Sequence, residues 1–264
     1  MNTDNLDLRI NNADDEDLPA PTKKTMPLFY VVDNSGSMAG DKIQTVNAAL
    51  EEIMGLLDEI SKSNDDADIK IGCITFDTSA KIITKTPVSP ADFKYEITTN
   101  RGLTALGDAL TKLDWMLSRD HFLKGDNFVR PVIIFLSDGA PTDEWESKLK
   151  KLSENNWYKY ALKFSFAIGK DANEPENKSI LMKLTGSKSD ELVMEVNNAV
   201  KLREYLKEIS VVASKFNTRS ATTNASEDPE EMAKDVKKEA KKNAQVDPAT
   251  TGKNKGKDPF GTNW

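Results

Sequence analysis

The stretch PLFYVVDNSGSMAGDKIQTV, residues 27–46, decides how the chain is read. An unbroken apolar, largely β-branched and aromatic run ends on a carboxylate, Asp33. A run of that kind suits a strand buried on both faces, as in a parallel sheet. Asn34-Ser35-Gly36-Ser37 then makes a tight polar loop, and after Gly40-Asp41 a helical pattern begins. Ile43, Val46, Leu50, Ile53, Met54, Leu57 and Ile60 recur at helical spacing. Strand, polar loop and helix in that order place one carboxylate and two hydroxyls at the carboxyl end of a buried strand.

Working outward, the same alternation continues. IKIGCITF (69–76), VRPVIIFLSD (129–138), YALKFSFAIG (160–169) and the weaker ELVMEV (191–196) read as further strands. AKIITKTPV (80–88) alternates more and follows a short Asp77-Thr78-Ser79 turn, so it suits an antiparallel edge strand. Helical patterns fill the gaps: Leu106–Leu117, Glu144–Glu154, Ser179–Leu184 and Val200–Ala213. Strand–helix alternation predicts an α/β fold, a doubly wound and mostly parallel sheet in three layers with one antiparallel edge strand. In such sheets ligands bind at the carboxyl ends of the strands, near the point where the strand order reverses.

Three loops converge on that edge. The first carries Asp33, Ser35 and Ser37. The fourth strand candidate ends Leu136-Ser137-Asp138-Gly139, bringing a second carboxylate. The stretch Thr99-Asn100-Arg101-Gly102-Leu103-Thr104 delivers another hydroxyl just before a helix. Two carboxylates and three hydroxyls are all hard oxygen donors, a set suited to Mg²⁺, with Mn²⁺ or Ca²⁺ as the other candidates. The plainer readings are that Asp33 and Asp138 cap helices and that Thr104 is the N-cap of the helix that follows it.

These residues resemble a family. Asp33-Asn34-Ser35-Gly36-Ser37 is similar to the DxSxS signature of von Willebrand factor type A domains. Thr104 in GLTALGDAL and Asp138 in FLSDGAPTD resemble the other parts of that family's metal ion-dependent adhesion site. The stretches GCITFDTSAK and IIFLSDGAPTD look like a bacterial stand-alone branch, the TerY-like proteins associated with tellurite resistance. The resemblance implies a metal held by Asp33, Ser35, Ser37, Thr104 and Asp138, with the two aspartates acting largely through water. It implies no catalysis, but a module that grips an Asp or Glu of a protein partner. For the TerY-like branch it implies a scaffold or regulator working with a PP2C-type phosphatase and a Ser/Thr kinase in stress response or defence. The alternative on a similar sheet is a Mg²⁺-dependent phosphohydrolase using Asp33 and Asp138. Its general acid, however, belongs two residues after the first aspartate, where Ser35 stands.

Composition narrows the classes. The 264 residues carry a net charge of −7, which disfavours nucleic acid as the main partner. A single Cys73 leaves no disulfide framework or cysteine-rich zinc site, and a single His121 leaves no multi-histidine site. Cys73 reads as a small buried hydrophobe and His121 as a surface residue. There is no run of roughly 18 apolar residues for a membrane span, and the acidic start is unlike a secretory signal. The expected location is cytoplasmic. Residues 1–24 read as a disordered acidic segment, 25–216 as the folded domain and 217–264 as a disordered charged tail. Within that tail one short helix is expected, with Asp228 as N-cap and Pro229 at its first position. Few apolar residues line it, so it would be marginal alone.

Overall fold

The computed structural model describes residues 23–64, 67–94, 96–99, 102–125, 127–139, 141–220 and 228–246. The strand that opens it, β1 (Lys24–Asp33), pairs in parallel with β2 (Ala67–Phe76) and with β4 (Val132–Ser137). The short β3 (Ala80–Ile82) lies antiparallel against β2. On the other flank β4 pairs in parallel with β5 (Leu162–Ile168), and β5 with β6 (Val193–Val196). The resulting six-stranded sheet has the order β3-β2-β1-β4-β5-β6, five parallel strands with one antiparallel strand at an edge. The chain runs outward from β1 to β3, then returns to β4 on the other side of β1. The reversal of strand order therefore falls at the carboxyl ends of β1 and β4.

The pleat sorts the side chains of the central strands onto two cores. Leu28, Tyr30 and Val32 of β1 and Val132, Ile134 and Leu136 of β4 face one helix layer. Phe29, Val31, Ile133 and Phe135 face the other. Because both faces are covered, β1 from Met26 to Val32 and β4 from Val132 to Leu136 carry apolar or aromatic side chains throughout, which is why they read as continuous apolar runs. The first layer holds α1 (Asp41–Ser63), α6 (Ala199–Ser220) and α7 (Pro229–Val246). The second holds α2 (Leu106–Met116), α3 (Trp145–Leu152), the short α4 (Asn156–Tyr160) and α5 (Pro175–Thr185). Cys73 is fully buried in the first core, and His121 stacks on Trp115 with ring centroids 4.0 Å apart.

Two expectations need correction. The edge strand predicted over 80–88 keeps regular pairing only at Ala80–Ile82. The Thr84 hydroxyl accepts from the Cys73 amide at 2.7 Å, so a side chain takes the place of a ladder bond. An isolated antiparallel bridge from Ile71 to Val88 resumes the contact further on.

The charged tail also differs. α6 runs on to Ser220, and residues 229–246 form a docked helix rather than a loose one. Met232, Ala233, Val236 and Ala240 of α7 are buried in the first core, beside α6 and β5. The start of α7 is as expected, with the Asp228 carboxylate accepting from the Glu230 amide at 2.9 Å. What composition missed is that four apolar residues on one face suffice to dock the helix against α6 and β5. The segment expected to be disordered at the N-terminus falls, for residues 1–22, outside the described residues, as do 221–227 and 247–264.

Candidate functional site

β1 delivers Asp33 to the sheet's carboxyl edge fully buried, and the chain turns at once. The Asp33 carboxylate accepts from the Ser35 amide at 2.9 Å through one oxygen and from the Ser137 hydroxyl at 2.7 Å through the other. It thereby holds the loop after β1 to the last residue of β4. Burial pushes the Asp33 carboxyl up to about 6; the bonds from Ser35 and Ser137 pull it down, and the charge of Asp138 adds a further upward push. Ser35 is buried, Ser37 is exposed, and their hydroxyl oxygens lie 3.1 Å apart.

The other two loops meet this one through the backbone. The Gly36 amide donates to the Gly102 carbonyl at 3.2 Å, tying the first loop to the segment that carries Thr104. Asn34 reaches the same segment, its side-chain amide donating to the Thr98 carbonyl at 2.8 Å. Thr104 is buried, and its backbone is paired on both sides with Thr142. Asp138, one residue beyond β4, is buried with Oδ2 accepting from Lys42 Nζ at 2.9 Å. Its Oδ1 is buried and has no partner among the described residues, and neither has Asn34 Oδ1.

All five predicted donors thus lie on three loops at one edge of the sheet, and the loops are bonded to one another. The plainer readings fare worse. Neither α1 nor α2 has a side-chain cap bond at its N-cap. The open amides of α2 are taken by Asp143, which accepts from Gly107 at 3.0 Å and from Asp108 at 3.3 Å. Thr104 is therefore relieved of the capping role. Asp77 makes the turn expected of it, accepting from the Ser79 amide at 3.2 Å.

Sequence reading missed Lys42, Ser137, Asp143 and Asp171. Ser137 was within sight, one position before Asp138 at a strand end. Lys42 and Asp171 carried no such signal, since their meeting depends on how far α1 sits from the end of β5. Among the described residues no group of three His, Cys, Asp or Glu is placed so that it could hold a metal ion by itself. A metal at this edge must rely on hydroxyls beside the two carboxylates. The donor chemistry fits a hard divalent ion, and a buried carboxylate oxygen without a partner, next to a carboxyl raised by burial, is the deficit such an ion corrects.

The comparisons with known proteins agree on the fold. A model of the von Willebrand factor type A domain matches residues 28–208. Among solved structures, proximal thread matrix protein 1 from the mussel byssus superposes with a TM-score of 0.54 at 20% identity, over 73% of this chain and 47% of that one. A form of the same mussel protein with a zinc-occupied MIDAS motif gives 0.52 at 15% identity, over 72% and 48%. The pilus adhesin SpaC from Lactobacillus rhamnosus GG, in an open conformation, gives 0.54 at 13% identity, over 74% and 30%. The chain spans less than half the length of each of these, and at such identities the likeness is one of fold. No curated protein matches the chain. No helix among the described residues is long and apolar enough to cross a membrane. With the family model covering more than half of its 264 residues, on a sheet of the matching topology, the chain belongs to the von Willebrand factor type A domain family.

Proposed function

We propose that the chain is a metal-dependent protein-binding module. Asp33, Ser35, Ser37, Thr104 and Asp138 would hold the ion, Mg²⁺ first, with Mn²⁺ or Ca²⁺ accepted by the same oxygens. The observation that carries this reading is the buried Oδ1 of Asp138, without a partner among the described residues, at the end of β4 where the loops already bring Asp33 and the hydroxyls together. Bound there, a divalent ion would offer an open position to a carboxylate from an Asp or Glu of a partner. Ser35, Ser37 and Thr104 are neutral, so of the five donors only Asp33 and Asp138 offset the ion's charge. The occupied MIDAS motif of the mussel relative supports metal binding at this kind of site.

The finer assignment follows the sequence resemblance. A TerY-like scaffold or regulator would work in the cytoplasm with a PP2C-type phosphatase and a Ser/Thr kinase, in a stress-response or defence system.

A phosphohydrolase using Asp33 and Asp138 gains a cation in Lys42 but still lacks an acid at position 35. Both oxygens of Asp33 are also engaged as acceptors, which does not suit a nucleophile.

Calorimetric titration of Mg²⁺ and Mn²⁺ into metal-stripped wild type and Asp33→Ala tests the proposal, with circular dichroism to verify the fold. Saturable binding in the wild type, lost in a folded variant, is expected. A wild type that takes up neither ion would overturn it, and turnover of a phosphate ester would favour the alternative.

A further inference from the structure

Lys42 is the one basic side chain bonded to a site carboxylate among the described residues, and its position is built rather than incidental. It stands in the first turn of α1, yet its ammonium reaches Asp138 Oδ2 at 2.9 Å and Asp171 Oδ2 at 3.2 Å. Asp171 opens the 3-10 turn after β5, two strands away from β1. The stem crosses that gap against Gly169, whose backbone has φ +85. A Cβ there would lie 2.7 Å from Lys42 Cε, so the absent side chain is the channel for the lysine. Asp138 is buried, with its side chain 4% exposed, whereas that of Asp171 is 78% exposed.

We propose that Lys42 is a specificity-determining residue, a resident cation that sets the charge of the metal site. The inference rests on the metal-binding reading above and adds to it a reason for coupling. Asp33 and Asp138 together offer two negative charges, and Lys42 cancels one of them. A divalent ion held by the remaining net charge of −1 stays positive overall, so it is held weakly alone and more tightly with a partner's carboxylate. Without Lys42 the two aspartates would neutralise the ion by themselves. Metal affinity would rise, and the demand for an outside carboxylate would fall. Asp171 moderates this by drawing the ammonium outward, since Lys42 shared between two carboxylates claims less of Asp138.

The test is calorimetric titration of Mn²⁺ into the metal-stripped full chain, with and without saturating glutarate as the carboxylate probe. In the wild type glutarate should tighten Mn²⁺ binding. Lys42→Met should bind Mn²⁺ alone more tightly, by on the order of tenfold, and gain less from glutarate. Lys42→Arg keeps the charge and should behave as the wild type. A brace with no electrostatic role would give the opposite sign, because loosening the site weakens metal binding. A folded Lys42→Met with unchanged or weaker Mn²⁺ affinity therefore overturns the inference and leaves the metal site standing. Should Lys42→Met not fold, Asp171→Asn replaces it. That change at an exposed carboxylate should weaken Mn²⁺ binding, and no change would overturn the inference. A wild type that takes up no Mn²⁺ even with glutarate overturns both readings together.

Discussion

The Asn47 side chain pairs with both backbone polar groups of Ile97: its amide donates to the Ile97 carbonyl at 2.7 Å, and its carbonyl accepts from the Ile97 amide at 2.9 Å. A residue in the second turn of α1 thus bonds to the backbone of the segment around Ile97 as a strand partner would. That segment continues to Thr98, which accepts from Asn34, and then towards the loop carrying Thr104. The rigid helix packed on the sheet fixes where the third loop of the site begins.

Replacing Asn47 by Ala leaves a partly buried amide and carbonyl without partners. The expected cost is about 1–3 kcal/mol, read as a lower urea midpoint with an unchanged slope. Metal affinity should fall as well. A variant as stable as the wild type would show that the pair contributes nothing.

Gly102 sits where the site loop crosses the turn after β2. A Cβ there would lie 2.5 Å from Thr78 Oγ1 and 3.1 Å from the Thr78 amide nitrogen. Gly102→Ala should therefore push the Thr104 loop outward, weakening metal binding more than it lowers stability. The double change Gly102→Ala with Thr78→Ala removes the closest atom and should recover part of the loss. Wild-type metal affinity in Gly102→Ala would contradict the crossing as described.

Lys163, near the start of β5, donates from a buried ammonium to the Tyr158 carbonyl at 2.9 Å and the Ala161 carbonyl at 3.1 Å. Burial lowers its amine to about 8, the charge of Arg130 lowers it further, and Asp228 and Glu230 at the start of α7 oppose the shift. Below pH 8 the amine is charged in both folded and unfolded chains, and the burial penalty is present in full. Between pH 8 and the ordinary lysine value of about 10.4, the folded chain holds fewer protons than the unfolded one. Stability contributed by this group therefore rises with pH across that window, by at most about 3 kcal/mol. Urea midpoints of wild type and Lys163→Met, measured at pH 7.5 and 10, should shift in favour of the wild type at the higher pH. Parallel midpoints would rule the effect out.

Val236 on α7 is fully buried against the first core. Val236→Asp places a carboxylate there without a partner and should cost about 3 kcal/mol, chiefly by releasing α7. Hydrogen exchange should show protection lost along 229–246 and over β5 and β6, with β1 and β2 little changed. Full protection of α7 in the variant would mean that the helix is held by its polar contacts, such as the Ser187 hydroxyl donating to Glu230 at 2.7 Å.

Much was decided by the sequence alone. Strands buried on both faces must be apolar along their length, so PLFYVVD and VIIFLSD could be read as central strands from composition. Their polar ends then had to lie at the sheet's edge, which places Asp33, Ser35, Ser37 and Asp138 together on the sequence alone. Thr104 was found by the motif, since a hydroxyl before a helix reads equally well as a cap. Only the tertiary structure showed that Asp143 supplies that cap from another element. It also decided that Thr84 interrupts the edge strand and that four apolar residues suffice to dock α7. The Lys42–Asp138 pair lay beyond the sequence for the same reason. Periodicity reports which face of an element is buried, whereas a contact between residues 96 positions apart depends on how elements pack and how far a flexible side chain can reach.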